Sequence, residues 1–281
     1  MSLRINHNIL SIAAQRNLAS TQNSLDQAVN RLSSGLRINN SWEDPAGLAI
    51  SERFRSQIAS LTEAERSANY DINMLETGEG ALSVIDEKLV RMRSLAVQAA
   101  NGSLKDTDRS VLNTEFMALR SEITRIANVT NYNGIYLLNG DHSASNLKIA
   151  FQVGSNAVEG EDYYAINVEK MTASALGLEG LGVDLTTTTN ALTTINALDL
   201  AISSKDTVRT SLGSYVERLQ NTILNLQVSN ENATKSESQI RDADVAAEMS
   251  NFTRSQILMQ SGVAMLAQAN QVPQLVQQLI G

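Results

Sequence analysis

The sequence predicts a mainly α protein: a long antiparallel helical rod, packed like a coiled coil, with a small β-hairpin region and one helix at each terminus. Apolar residues recur every three or four positions over most of the 281 residues. Alternation with a period of two is confined to one short stretch in the middle of the chain. The chain has only two prolines and 4% aromatic residues, which favours long helices over an all-β body.

The first predicted helix lies within residues 1–44, which form an N-terminal helix and its linker. Its apolar residues are spaced by seven, four, three and four positions and form a narrow amphipathic stripe. The members of this stripe are Leu18, Leu25, Val29, Leu32 and Leu36. The helix should end in the polar stretch that covers residues 38–45.

The second predicted helix is the longest and begins at Pro45. Asp44 is suited to the N-cap and Pro45 to the first helical position. Spacings of three and four continue to Ala99, with one break near Gly78, until Asn101-Gly102 stops the helix. Such a helix is roughly 80 Å long, whereas a compact globule of this chain length is about 50 Å across. The body of the protein is therefore predicted to be a rod.

The middle of the chain adds a third helix, which should end near Asn131, and a β-hairpin. Residues 147–153 and 164–168 alternate apolar with polar side chains, as half-buried strands do. Residues 45–171 would thus form the N-terminal part of the rod. Residues 172–190 are rich in Gly, Leu and Thr and are interpreted as a short variable connector.

Two more helices are predicted at the C-terminal end, a rod helix over 191–240 and a terminal helix over 241–281. Residues 255–281 carry no charge but include eight Gln or Asn side chains. A solvated tail normally carries charge, and a membrane helix does not carry so many amides. The open interpretations are a frayed terminus and a helix packed on several sides by protein, and we expect the second. Because two terminal helices cannot bury so wide a surface, we expect other copies of the chain to cover it, which predicts a polymer.

Composition and motifs exclude several classes of function. The chain has no cysteine and two histidines, which excludes disulfide frameworks, thiolate metal sites and cysteine nucleophiles, and we expect no cofactor. A net charge of −8 disfavours nucleic-acid binding. No apolar run approaches the ~20 residues of a membrane span, and the first residues are too polar for the core of a signal peptide. No nucleophile-elbow, phosphate-loop or zinc-helix motif occurs, so we expect no enzyme.

Two separated motifs resemble the signatures of bacterial flagellin. The N-terminal motif consists of SSGLRIN at residues 33–39 and DPAGLAIS at residues 44–51. The C-terminal motif consists of SQIRDAD at residues 238–244 and MLAQANQ at residues 265–271. The resemblance covers nearly the whole chain, with its parts in the correct order. The chain is similar to the short type of flagellin, which lacks large outer domains.

The resemblance implies a structural protein that is exported unfolded by the flagellar type III apparatus, without a cleaved signal peptide, and that self-assembles into the extracellular filament used for swimming. The rod would form the filament wall and the terminal helices its inner tube. Implied partners are other copies of the chain, an export chaperone, the export apparatus, and the filament cap and hook-junction proteins. The inner-tube candidates are apolar residues of the terminal helices: Leu18, Leu25, Val29, Leu32, Leu36, Met249, Phe252, Val263, Leu266, Leu275 and Leu279.

Residues 90–98 resemble the stretch of flagellin that a vertebrate Toll-like receptor recognises. On this resemblance, Arg91 and Leu95 match principal contact positions, and Glu115 matches an acidic contact on the next helix. Leu95 follows Arg91 by one helical turn, so we expect both on the same face. The alternative is that this face only packs against a neighbouring subunit, and we expect both roles.

The C-terminal helix is also expected to bind the export chaperone before assembly. Its apolar anchors at helical spacing are Val263, Leu266, Leu275, Val276, Leu279 and Ile280. The alternative is that these residues serve polymer packing alone. Pro273 departs from a regular helix, so the last residues are expected to bend or fray.

Glycosylation is a further implication of the resemblance, because bacterial flagellins are often O-glycosylated on exposed hydroxyl groups. The candidates here lie near the hairpin and in the connector: Ser143, Ser145, Thr186, Thr187, Thr188 and Thr189.

Two other functions stay open. A hook–filament junction protein shares the terminal motifs but is made in few copies, and a soluble coiled-coil adaptor would form a stable small oligomer with charged, solvated ends. The strong matches at 44–51 and 267–271 favour the filament subunit. The charge-free C-terminus argues against the adaptor.

Overall fold

The computed structural model describes residues 7–143, 148–154, 156, 158, 160 and 162–280, the last nine as backbone. These residues form five helices and two hairpins of two strands each, which confirms the mainly α fold. In chain order the elements are α1 (Ile9–Ser34), α2 (Pro45–Ala99), α3 (Asp106–Val129), β1 (Asn131–Tyr132), β2 (Ile135–Tyr136), β3 (Ile149–Gln152), β4 (Tyr163–Ile166), α4 (Thr188–Arg241) and α5 (Val245–Ile280).

The chain divides into two compact units. The first unit combines both ends of the chain, Met1–Ile58 and Glu231–Gly281, and the second unit is Ala59–Asn230. The first unit therefore holds α1, α5 and the adjoining ends of α2 and α4, while the second holds the rest of α2 and α4 with α3 and the hairpins.

Within the second unit, α2 and α4 lie antiparallel. As residue numbers increase along α2, the numbers of their hydrogen-bonded partners on α4 decrease. The pairs are Glu65 with Gln227 at 2.7 Å, Glu79 with Arg209 at 2.8 Å, Asp86 with Lys205 at 2.5 Å, and Arg93 with Asp199 at 2.7 Å. Lys205 is only 2% exposed, and its ammonium also contacts Asp206. The predicted antiparallel packing of long helices is therefore confirmed for this unit.

The core of the second unit follows the predicted apolar spacing. On α2 the fully buried residues include Leu82, Ile85, Leu89 and Met92. On α3, Phe116 and Ile123 are fully buried, and α4 adds Leu198 and Leu219 among others. Burial of one such side chain stabilises the fold by about 1.5–3 kcal/mol. The three helices thus share one continuous core.

The turn between α2 and α3 is closed by a buried arginine. The Arg109 guanidinium donates to the carbonyl oxygens of Ala99 at 2.8 Å and Asn101 at 2.9 Å, and to Asp106 Oδ1 at 2.7 Å. Arg109 is 5% exposed. Because the last carbonyls of a helix have no partner within the helix, this side chain supplies the donors that the end of α2 lacks.

Both hairpins lie in the second unit. The predicted β3–β4 hairpin is confirmed with shorter strands, paired antiparallel from Ile149–Ile166 to Gln152–Tyr163. The β1–β2 hairpin was not predicted. Its two loop residues, Asn133 and Gly134, have φ of 49° and 82°, the left-handed values that a two-residue loop of the type I′ kind requires.

Residues 172–187 belong to the core rather than to a loose connector. Five of their apolar side chains are buried: Ala173, Leu176, Leu178, Val183 and Leu185. Helix α4 begins at Thr188, which shortens the predicted connector by three residues. The segment has turns instead of a period, so the sequence pattern could not show that it packs inward.

Tyr164 anchors the β3–β4 hairpin to the helices. Its ring meets the edge of Phe151 at a centroid distance of 6.0 Å, and the Arg218 guanidinium lies 4.0 Å from the ring centroid. The cation and the ring face attract each other, which holds the hairpin against α4. Burial raises the pKa of Tyr164 to about 12, against the opposing effect of the Arg218 charge.

Asp71 on α2 lies in the same region, and burial raises the pKa of its carboxyl from 3.8 to about 6. The fold therefore favours the protonated form, so the contribution of Asp71 to the free energy of unfolding is fully present below about pH 4 and is lost as the pH rises through about 6. We expect Asp71→Asn to raise the free energy of unfolding by about 1–2 kcal/mol at neutral pH, after allowing for partial solvent screening, and to have no effect near pH 4. Urea unfolding of both proteins across this pH range checks the prediction, and an equal difference at every pH would contradict it.

Candidate assembly surface

The first unit is built on the pairing of α1 with α5, whose ends are set by specific caps. Asn8 Oδ1 accepts from Ser11 N at 3.1 Å at the start of α1. Gly35 ends α1 with φ of 72° and donates its N–H to Arg31 O at 2.9 Å. Asp244 accepts from the N–H groups of Ala246 and Ala247, at 2.9 and 3.1 Å, and so caps the start of α5.

The two sequence motifs meet in a short antiparallel bridge. Ala243 N donates to Gly35 O at 2.9 Å, and Arg37 N donates to Arg241 O at 2.6 Å. The guanidinium of Arg37 also donates to Ile240 O. Backbone hydrogen bonds, as well as side-chain packing, therefore fix the orientation of α1 relative to α5.

The start of α2 requires a glycine at position 47. Asp44 Oδ1 accepts from Gly47 N at 2.8 Å, which confirms Asp44 as the N-cap. A Cβ on Gly47 would lie 2.4 Å from Asp44 Oδ2 and 2.9 Å from the Ile38 side chain. Asp44 and Gly47 of the DPAGLAIS motif are thus both required by the geometry at the start of α2.

Helices α1 and α5 run antiparallel, and polar groups form hydrogen bonds across their seam. Asn8 Nδ2 donates to Ala269 O and Ser11 Oγ donates to Asn270 Oδ1, both at 2.8 Å. The methyl group of Leu18 lies 3.1 Å from where a Cβ of Gly262 would be. Ala28 and Ser255 are the residues of these two helices whose described side chains are buried. The seam therefore leaves most side chains of the two helices half-buried or exposed.

The predicted inner-tube residues divide into two groups. Those of the first group are half-buried: Leu18, Leu25, Leu32, Leu36, Phe252 and Leu266. Those of the second group are exposed: Val29 at 44%, Met249 at 48% and Val263 at 54%. Leu275, Val276, Leu279 and Ile280 lie in the part of α5 that is described as backbone, and α5 is continuous across Pro273.

Further apolar side chains on the two helices are more than half exposed and were not singled out from the sequence. They are Ile9, Leu10 and Ile12 on α1, and Val245, Ile257, Leu258 and Met265 on α5. All of them except Val245, which precedes Met249 by four residues, lie off the single stripe of spacing three and four that marked the inner-tube candidates. We call these seven residues, with Val29, Met249 and Val263, the assembly surface. Exposed apolar side chains that share one pair of helices are typical of a surface that another protein covers.

The predicted receptor patch lies in the second unit. Arg91 Nε donates to Glu115 Oε1 at 2.7 Å, and this bond between two exposed side chains raises the pKa of Arg91. Leu95, however, is 1% exposed and packs in the core. The expectation that Leu95 lies on the same face as the exposed Arg91 is wrong, because Leu95 follows Met92 by three residues and lies on the buried apolar stripe of α2.

Four of the glycosylation candidates are exposed: Ser143, Thr186, Thr187 and Thr189. Thr188 is half-buried, and Ser145 lies outside the described residues. The Thr186 hydroxyl donates to Asp184 Oδ1 at 2.6 Å, so a sugar on that oxygen would replace this bond. Modification of these residues stays a prediction.

In the part of the chain that the structure describes, no helix combines the length and the hydropathy of a membrane span. The same residues contain no group of three or more histidine, cysteine, aspartate or glutamate side chains placed to bind a metal ion.

Comparison with known proteins gives the family. The model of the bacterial flagellin N-terminal helical region matches residues 5–143, and the model of the C-terminal helical region matches residues 195–280. The chain belongs to the bacterial flagellin family. Flagellins are structural proteins rather than enzymes.

Relatives match along the whole flagellin chain. A flagellin of Halalkalibacterium halodurans is 42% identical over 276 residues, which cover 98% of this chain and 99% of the relative. A flagellin of Bacillus subtilis is 40% identical, covering 99% and 100% of the two chains. A flagellar filament 33 kDa core protein of Treponema phagedenis is 38% identical, covering 98% and 99%. The resemblance inferred from the two motifs is thereby confirmed.

Proposed function

We propose that this chain is the repeating subunit of an extracellular bacterial flagellar filament that drives swimming. It reaches the outside through the flagellar type III apparatus in an unfolded state, and it polymerises between the hook-junction proteins and the filament cap. Relatives named as flagellins and as a filament core protein support the proposal. The observation that carries it is the assembly surface, which stays exposed after α1 and α5 have packed together.

The chemistry of α5 supports burial by protein rather than by lipid or water. Residues 255–281 carry no charge, so no ammonium or carboxylate has to be desolvated when this surface is covered. Their Gln and Asn side chains can exchange hydrogen bonds with amides of a neighbouring copy. Because the ordering of two long helices costs conformational entropy, contacts with several copies offset that cost where contacts within one chain do not.

The proposal predicts that a charge on the assembly surface blocks polymerisation. We expect Leu258→Lys, at a side chain that is 52% exposed, to raise the critical concentration for filament growth by at least about tenfold, because each subunit contact would bury an unpaired ammonium. Leu258→Met keeps an apolar side chain of similar size at the same position and serves as the matched control. Seeded growth followed by sedimentation and electron microscopy measures both.

Other outcomes would contradict this function. Small discrete particles from the unaltered chain, under conditions that grow filaments from related flagellins, would favour a hook–filament junction protein or a coiled-coil adaptor. Filaments from a chain truncated after Arg254 would disprove the role of α5 in the polymer. Equal inhibition by Leu258→Lys and Leu258→Met would show that the shape of this side chain, and not the burial of a charge, controls growth.

We propose that the export chaperone covers the C-terminal half of α5 before assembly. Val263 is 54% exposed and Leu266 half-buried, so an amphipathic groove on a partner could take up their side chains once α5 leaves α1. Co-purification of the chaperone with the full chain and with Val263→Lys tests this role. Undiminished capture of the variant would contradict it.

Recognition by a Toll-like receptor is proposed to use Arg91 and Glu115, while Leu95 acts only by keeping α2 in place. We expect Arg91→Ala to weaken receptor signalling by the monomer, since Arg91 presents exposed donors beside Glu115. Arg125→Ala removes a comparable exposed arginine of the same unit, bonded to Glu122, and is the control. A receptor reporter assay in cells that responds equally to both variants would contradict the assignment.

A further inference from the structure

The turn after α2 holds an asparagine in an unusual setting. Asn101, Gly102 and Ser103 are all exposed. Asn101 Oδ1 accepts two hydrogen bonds from the same neighbour, from Ser103 N and from Ser103 Oγ, each at 3.0 Å. Among the hydrogen bonds of the described residues, none uses the N–H of Gly102. No atom outside the immediate neighbours lies within 4 Å of a Cβ built on Gly102, so this peptide has room to turn.

We propose that Asn101 is a site of self-modification, at which the chain converts its own amide to an acid. The two donors of Ser103 polarise the side-chain carbonyl of Asn101 and stabilise the negative charge that its oxygen gains during attack. The nucleophile is the backbone nitrogen of Gly102, which the glycine leaves unhindered. Neither an enzyme nor a cofactor is needed.

The reaction balances with water as the single co-reactant. The Gly102 nitrogen loses its proton to solvent base and forms a bond to Cγ of Asn101. The bond from Cγ to Nδ2 then breaks, and the amide leaves as ammonia after taking up a proton. Water opens the resulting five-membered imide at either carbonyl, which yields aspartate or the isomer whose backbone passes through the side chain.

The chain contains two further Asn-Gly pairs, and both are held in ways that oppose this reaction. Asn133 is fixed at φ of 49° in the hairpin loop between paired Tyr132 and Ile135, and Gly134 N points to Asn131 Oδ1 at 3.4 Å. Asn139 Oδ1 accepts from Asp141 N at 2.9 Å, as Asn101 Oδ1 does from Ser103 N, but no hydroxyl adds a second donor there. Asn139 Nδ2 instead donates to the carboxylate of Asp141 at 2.6 Å, which places a negative charge beside the reacting amide. We therefore infer that Asn101 reacts faster than Asn133 and Asn139.

The product would alter the turn that Arg109 closes. The carbonyl oxygen of Asn101 accepts from Arg109 Nη2 at 2.9 Å. In the isomer the main chain passes through Cβ and Cγ and is longer by one methylene, while the former main-chain carbonyl, which Arg109 holds, becomes the free carboxylate. In the aspartate product this carbonyl is kept and the carboxylate is on the side chain. Either product adds one negative charge to the turn after α2.

The experiment follows ammonia loss at each of the three pairs. The purified full chain is incubated in mildly alkaline buffer, folded in one arm and unfolded in urea in the other, and peptide mapping by mass spectrometry measures amide-to-acid conversion. We expect conversion at Asn101 to exceed that at Asn133 and Asn139 in the folded arm, and this preference to shrink in urea. We expect Ser103→Ala to slow the folded reaction by about threefold to tenfold, the rate equivalent of one hydrogen bond, and Gly102→Ala to slow it further.

Three results would overturn the proposal: faster conversion at Asn133 or Asn139 in the folded chain, the same preference in both arms, or an unchanged rate in Ser103→Ala. Ser103 is exposed, so this variant should keep its fold, and circular dichroism of the variant verifies that.

Discussion

Replacing Phe116 by alanine is expected to lower the free energy of unfolding of the second unit by about 3–5 kcal/mol. Phe116 is 0% exposed and lies among the core residues contributed by α2, α3 and α4. Its removal loses the transfer free energy of the ring and leaves a cavity that three long helices cannot easily close. Urea unfolding followed by circular dichroism measures the change.

The matched control on the same helix is Val111→Ala, at a side chain that is 71% exposed. We expect this change to shift the free energy of unfolding by no more than about 0.5 kcal/mol. A comparable loss in both variants would mean that α3 is weakened as a helix, and would contradict the cavity argument.

The second large effect is expected from Arg109→Met, which keeps the length of the side chain and removes its charge and donors. The carbonyls of Ala99 and Asn101 would lose charge-assisted bonds in a place where Arg109 is 5% exposed. We expect a loss of about 3 kcal/mol in the free energy of unfolding. Amide hydrogen exchange should rise first in the last turn of α2 and the first turn of α3.

Arg125→Met is the control, because Arg125 is an exposed arginine of α3 whose partner is Glu122 on the same helix. We expect its free energy of unfolding to stay close to that of the unaltered chain, since exposed ion pairs contribute little. If the two arginine variants were equally stable, the hydrogen bonds from Arg109 to the end of α2 would make no measurable contribution to the free energy of unfolding.

Much of the fold could be predicted because helix periodicity reports burial directly. The positions predicted to face inward on α2, such as Leu82, Leu89 and Met92, are the ones that the structure buries. Asp44 and Pro45 likewise set the start of α2 through chemistry that is local in the sequence. The assembly surface was predicted only in part. Apolar residues such as Ile12 and Leu258 lie outside a single stripe, and their exposure depends on which side of α1 the partner α5 covers.

Other features depend on contacts between distant segments, which a spacing pattern does not contain. Arg109 looks like any surface arginine until α2 and α3 are brought together. Leu95 is different, because its spacing from Met92 and Ala99 already placed it on the inward stripe, against the contact role that the family likeness implied. The burial of residues 172–187 depends on α3 and α4, since turns have no period to read. The Asn133-Gly134 pair, by contrast, is a recognised hairpin signal that could have predicted β1 and β2.

The charged residues along α2 and α4 also limit how far the two helices can slide past each other. In the observed alignment, acidic Glu79 and Asp86 face Arg209 and Lys205. If α4 moved by one heptad so that Asp199 came level with Asp86, Asp206 would come level with Glu79. Two repulsive pairs would then form, and the three attractive pairs, including Arg93 with Asp199, would be broken. Apolar heptads alone would tolerate that displacement, because leucines repeat along both helices. The order of acidic and basic residues along the two helices therefore selects one alignment among those that the apolar repeat allows.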